Sequence, residues 1–203
     1  VRCNDILVDV AKRFLDDDPE ALFAEPIIFT NFMTLTIDEQ KVYMGSQDMA
    51  SLKTTLNEKM KEYNEYNPIM DLVLFDQAIE HVTRISRIIS LPRGNALLVG
   101  VGGSGKQSLT RLAAFAAGYK VFTISLMRNY GEKEFREDLK ELYKQLGTDE
   151  IVFLFTDAHV AEEGFLEFIN NMLTTGMVPA LYEQDEKDGC INSVRKEAKE
   201  KGI

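Results

Sequence analysis

The segment Gly100-Val101-Gly102-Gly103-Ser104-Gly105-Lys106 constrains this chain more than any other. It fills the pattern G-x-x-x-x-G-K with Gly100, Gly105 and Lys106, between an apolar run at 96–99 and an Ala-rich helical pattern at 104–117. That strand-then-helix context separates a phosphate-cradling loop from an accidental glycine cluster. Glycines let the backbone curl so that successive N–H groups point inward at phosphate oxygens. The helix start contributes the positive end of its dipole, and Lys106 reaches the β- and γ-phosphates. The pattern therefore implies a nucleoside triphosphate ligand; a glycine-rich turn without ligand is the blander alternative.

Around the loop, apolar β-type runs alternate with helical patterns. Runs at 96–99, 121–124 and 151–155 are each followed by a helix, at 104–117, 132–146 and 162–174. Such alternation predicts an α/β fold, a parallel sheet flanked by helices on both faces. The run at 151–155 is continuously apolar, as a central strand buried on both faces should be. Ahead of it, Phe75, Ile79, Val82 and Ile89 predict a helix ending before Pro92-Arg93-Gly94. The first third reads as a small helical segment. Ile6, Val10 and Phe14 recur at helical spacing before the acidic stop Asp16-Asp17-Asp18-Pro19. Met49, Leu52, Leu56, Met60 and Tyr63 line a second helix that Asn67-Pro68 ends. Pro26 precedes Ile27-Ile28-Phe29, a strand or a buried turn. There is no tandem repeat. The expected division is 1–67, a helical segment, and 68–203, a phosphate-loop domain.

Composition narrows the partners. The 203 residues are 45% hydrophobic, enough for a true core, and the net charge of −10 argues against a nucleic-acid binder, which needs clustered Lys and Arg. A nucleotide needs only a few local cations. Cys3 and Cys190 fit no metal or redox spacing. No segment is long and apolar enough to span a bilayer, and no signal-peptide pattern opens the chain. A cytosolic or nuclear-cytosolic setting is expected. The start at Val1 without Met gives the look of an excised fragment.

The chemistry beside the loop departs from the usual pattern. Gln107 follows Lys106 where Ser or Thr normally gives a hydroxyl to Mg²⁺. Ser108 comes next, but one helical step turns a side chain by about 100°, so it is no simple replacement. Gln107 has a carbonyl oxygen to offer, directly or through water. Asp157, two residues beyond the run at 151–155, suits magnesium-bound water, which makes Asp157 and Gln107 the candidate metal residues. The next residue, Ala158, cannot activate water, and general-base help is worth about 10²–10⁴-fold. His159 reads as a polar loop residue, and Glu162 and Glu163 as acids opening a helix. His81 has no metal-ligand partner at helical spacing. Leu72, Val73 and Leu74 are candidates to wall a nucleobase, although by spacing alone they would pass as core. No catalytic residue is assigned.

Together these residues resemble the motor region of dynein heavy chains, specifically the fourth AAA+ module of the ring. The likeness is strong from Arg93 to Arg111, through the phosphate loop with Gln107 and Ser108. It continues in Phe153-Leu154-Phe155-Thr156-Asp157, in Glu162-Glu163-Gly164-Phe165-Leu166-Glu167, and from Asn170 to Pro179. It covers about Asp71 onward; residues before Asn67 look like the helical lid of the preceding module. Gln107, and the missing Glu after Asp157, look like the axonemal branch.

The resemblance implies a P-loop NTPase core of AAA+ type, ATP or ADP with Mg²⁺ as ligands, and a regulatory site with slow or absent hydrolysis. It implies that Leu72 to Phe75 line the adenine pocket, that Arg93 stands just ahead of the first core strand, and that ATP is preferred over GTP. The implied partners are neighbouring AAA+ modules of the same heavy chain. Through the parent chain they extend to dynein intermediate and light chains and to microtubules. The implied place is the cytoplasm and cytoskeleton, in the axoneme of a cilium or flagellum. The segment is expected to stop short of a sensor strand, an arginine finger and its own lid. Two alternatives stay open: a free-standing P-loop NTPase or kinase, and a scaffold that no longer binds nucleotide.

Overall fold

The computed structural model describes residues 2–14, 28–33, 36–37, 40–41, 43–45 and 48–200. Asp16-Asp17-Asp18-Pro19, Pro26 and Ile27 lie outside the described residues, as does the end of the tail at 201–203. The chain divides into two compact units, one of Val1–Leu91 with Leu98–Ala117, the other of Pro92–Leu97 with Gly118–Ile203.

The first unit is mainly helical. Helix α1 (Arg2–Phe14) leads to short antiparallel ladders, β1 (Phe29–Thr30) with β4 (Met44–Gly45) and β2 (Thr36–Ile37) with β3 (Gln40–Lys41). Helix α2 (Met49–Tyr66) starts at Asp48, whose carboxylate accepts the Ser51 amide at 2.6 Å, and stops at Asn67 in extended backbone before Pro68. Its Leu52, Leu56 and Tyr63 are buried at helical spacing. Helix α3 (Asp76–Ile89) buries Ile79, Val82 and Ile85, and helix α4 (Lys106–Ala117) buries Leu112, Ala113 and Ala116. The alanines have little side chain to hold the backbones apart, and α3 and α4 make the most extensive helix contact in this unit. Tyr63 meets Phe115 edge to face at 5.4 Å.

The second unit holds the parallel pair. Strand β5 (Lys120–Phe122) runs beside β6 (Ile151–Phe153) with Val121 opposite Val152, and Leu154 N–H donates to Phe122 O at 2.9 Å. Helix α5 (Glu132–Gln145) joins the two strands. A 3₁₀ turn (Asp157–His159) follows β6, then α6 (Phe165–Thr175) and α7 (Gln184–Glu200). Gly176 ends α6 at φ 76°, a left-handed cap that glycine adopts without strain. Phe135 and Phe165, both fully buried, stack with ring centroids 4.3 Å apart, and Phe168 packs edge-on against Phe135 at 5.6 Å.

The fold is α/β, rich in helix with a small parallel sheet. Two expectations need correction. The run at 96–99 is not a strand among the described residues: Leu97 and Val99 are 89% and 87% exposed, and no neighbour takes its backbone hydrogen bonds. Apolar sequence signals burial, but a strand exists only where another strand completes its ladder. Likewise Ile151, Val152 and Phe153 are half-buried rather than covered on both faces, because β6 has one strand neighbour among the described residues. No helix among them is long and apolar enough to cross a membrane.

Candidate functional site

The glycine loop turns where sequence demands it. Gly103 and Gly105 sit at φ 77° and 75°, a region closed to most residues with a Cβ. A Cβ on Gly100 would stand 3.4 Å from Ser104 Oγ and 3.8 Å from Lys106 Nζ, so the loop folds back over its own start. At Gly102 and Gly103 a Cβ would meet nothing within 4 Å; that side of the loop is open. Val101 is exposed, and its carbonyl accepts Ser104 N–H at 3.4 Å. Gly105 O accepts Leu109 N–H at 2.8 Å, the first bond of α4, leaving the earlier amides without helical acceptors.

Lys106 is drawn into this curl. Its ammonium donates to Gly100 O at 2.7 Å, Val101 O at 2.8 Å and Ser104 Oγ at 3.3 Å. The positive charge is thus held at the loop rather than cast into solvent. Loop amides, helix start and ammonium together fit a phosphate.

The metal side fits less well. Gln107 is exposed, and its Oε1 accepts Arg111 Nη1 at 3.3 Å. Ser108, half-buried, points elsewhere by helical geometry. Leu72 lies beside the loop, its Cδ2 3.7 Å from a Cβ position on Gly105, while Val73 is 82% exposed and Leu74 belongs to the core. Leu72 and Val73 therefore face different surroundings.

The other candidates belong to the second unit. Asp157 heads the 3₁₀ turn, exposed, with its backbone carbonyl accepting Val160 N–H at 3.2 Å. His159 Nδ1 accepts the Thr156 amide at 3.1 Å and its ring lies 5.7 Å from Phe155, so the imidazole caps a turn. The carbonyls of Glu162 and Glu163 accept from Phe165 and Leu166 at the start of α6. Arg93 adopts φ 58° and donates to Thr174 O at 2.8 Å, a cation at the negative end of α6. His81 is exposed on α3, and Cys3 and Cys190 are exposed. Among the described residues no group of three or more His, Cys, Asp or Glu is arranged to hold a metal. Two partnerships were missed in sequence: Gln107 with Arg111, which the i, i+4 spacing signals, and the buried Tyr130 hydroxyl with Asp138, which nothing local signals.

A family described as "P-loop containing dynein motor region D4" matches residues 70–203. The chain belongs to this dynein family. Relatives include the human dynein axonemal heavy chain 10, 55% identical over 92% of the chain, and the Chlamydomonas reinhardtii dynein-1-alpha heavy chain of the flagellar inner arm I1 complex, 54% over 89%. The flagellar outer-arm dynein beta chain of the same alga is 48% identical over 98%. The chain spans about 4% of the length of each of these relatives. In this dynein segment the matched region carries the whole glycine loop, Gln107, Arg111 and Asp157.

Proposed function

We propose that this chain is a regulatory nucleotide-binding module, the fourth AAA+ unit of an axonemal-type dynein heavy chain, holding ATP or ADP with slow or no hydrolysis. The observation that carries this is Lys106, whose ammonium is seated within a loop curled by left-handed glycines at the start of α4. The loop amides and Lys106 hold the phosphates, and Leu72, next to Gly105, lies against the base, with Val73 contributing from the same segment. Ala158 supplies no general base, and His159 is engaged in capping, which supports slow turnover. Members of this family generally bind nucleotide together with magnesium. Here the missing hydroxyl and the engaged Gln107 oxygen support only weak metal binding, with Asp157 assigned to metal-bound water.

The family match over 70–203 supports a P-loop domain from about residue 68, with 1–67 as the end of the preceding module. That boundary is one of sequence modules, since α2 packs with α3 and α4 in a single unit. Neighbouring AAA+ modules of the same heavy chain are the direct partners. Intermediate chains, light chains and microtubules are reached through the parent, in the axoneme of a cilium or flagellum; the relatives' own names are axonemal and flagellar.

The test is ligand-dependent stability. A ligand that binds only the folded state adds about 2.7 kcal/mol at a hundredfold excess over its dissociation constant. Lys106→Ala is expected to lose most of the ATP- or ADP-induced rise in melting temperature while its ligand-free melt stays close to the parent's. Equal nucleotide shifts in mutant and parent would remove Lys106 from the site.

A further inference from the structure

The cationic residues of α4 point to how this loop manages charge. Lys106 and Arg111 are the only charged residues of the helix, in a chain whose net charge is −10. Neither forms an ion pair with a carboxylate among the described residues. Arg111 lies one turn beyond Gln107 on the same face. Because Cα–Cβ bonds in a helix tilt toward its N-terminus, the long arginine side chain leans back toward the loop. Its Nη1 reaches Gln107 Oε1 at 3.3 Å.

That hydrogen bond decides which end of the amide is presented. A guanidinium donates only, so the atom facing it must be the glutamine oxygen. The amide NH₂ is left as the outward group. At the position where loops of this kind offer a hydroxyl oxygen to magnesium, this chain offers a hydrogen-bond donor backed by a fixed positive charge. A donor complements a phosphate oxygen and repels a metal ion. One lone pair of the oxygen that would ligate the metal is taken by the guanidinium, and a cation approaching the other meets that positive charge.

We propose that Arg111 orients Gln107 as a donor to phosphate, so that this loop takes its nucleoside di- or triphosphate without needing magnesium. The proposal rests on the nucleotide reading above and goes beyond it by naming the residue that sets the metal requirement. Arg111 is a positioning residue, acting through Gln107 and through its charge.

The experiment is calorimetric titration of the chain with ADP and with ATP, in EDTA and in magnesium, for the parent and for variants at both positions. For the parent, the two dissociation constants for each nucleotide agree within about threefold. Arg111→Ala frees the amide to turn; affinity in EDTA falls about tenfold, and magnesium restores most of it. Arg111→Lys keeps a donor and a charge, and stays within about threefold of the parent in EDTA. Gln107→Thr, a change at an exposed position that keeps the helix, creates a magnesium preference and keeps the inference testable if Arg111→Ala folds poorly. A parent that needs magnesium to bind overturns the inference, as does Arg111→Ala losing affinity equally with and without the metal. Nucleotide bound under neither condition removes the nucleotide reading itself, and this inference with it.

Discussion

In the first unit α3 and α4 come together through small and aliphatic side chains, Ala113, Ala116 and Leu112 in one cluster with Ile79, Val82 and Ile85. In the second, the centre is a stack of rings, Phe135 on Phe165, with Phe155 and Phe168 around them. Polar groups differ in the same way. The second unit satisfies its turns internally: Thr156 N–H donates to His159, Gly131 N–H to Glu134, and the Tyr130 hydroxyl to Asp138. The first leaves a loop of exposed amides whose side-chain cation sits among its own carbonyls. The difference is between a loop left open beside Lys106 in one unit and turns satisfied from within in the other.

The largest effect expected from this contrast is on stability. Phe135→Ala removes a fully buried ring that touches three others and is expected to cost about 3–5 kcal/mol. Leu112→Ala, equally buried but among alanines, is expected to cost less, about 2–3 kcal/mol. Urea unfolding of both variants checks the order. If Leu112→Ala proved the costlier, the second core would not depend on its ring stack as described.

A middle-sized effect separates the internally satisfied polar groups from the open loop. Burial first, and then the hydrogen bond to Asp138, push the Tyr130 hydroxyl well above the usual tyrosine range. The folded state therefore holds this proton more tightly than the unfolded state, whose tyrosine titrates near about 10. The associated stability is fully present below that value and is lost as pH rises beyond it toward the raised folded value. Tyr130→Phe is expected to cost about 1–2 kcal/mol at neutral pH and to make the alkaline fall in stability shallower. Unfolding free energies measured from neutral to strongly alkaline pH would show it. An alkaline limb of unchanged slope would mean that another group dominates there.

The legible part of this molecule is its local part. The loop from Gly100 to Lys106 could be read because its demands, glycine at left-handed positions and lysine at a helix start, are met by adjacent residues. Helices α2, α3, α4 and α5 followed from periodicity for the same reason. Phe135, Phe155, Phe165 and Phe168 meet across sequence gaps that no period spans, so their cluster was not legible. The run at 96–99 shows the converse limit. Its apolar residues signal a need for burial without naming a partner strand, and among the described residues none pairs with it. The packing of α2 with α4 was also hidden, because Asn67-Pro68 ends a helix without saying what that helix rests on. The Gln107–Arg111 pair lay in plain spacing, yet its chemical meaning depended on seeing which amide atom faces the guanidinium.

The smallest effect expected is at Asp157, and it is the sharpest test of how little the metal contributes. The side chain is exposed at the head of a turn whose amide is capped by His159, and the backbone of Asp157, rather than its carboxylate, receives Val160 N–H. Among the described residues no hydrogen bond or ion pair uses that carboxylate, so Asp157→Ala should leave stability within about 0.5 kcal/mol of the parent. Nucleotide affinity in EDTA should be unchanged. With magnesium present it should fall by at most about threefold, a loss of about 0.6 kcal/mol, because the Gln107 oxygen already accepts from Arg111, whose positive charge disfavours the metal's approach. Titration under both conditions decides the matter. A loss of equal size with and without magnesium would show that Asp157 acts on the nucleotide by some route other than the metal. A loss much larger than threefold, confined to magnesium, would show that the metal contributes strongly here after all, and would count against the role given to Arg111.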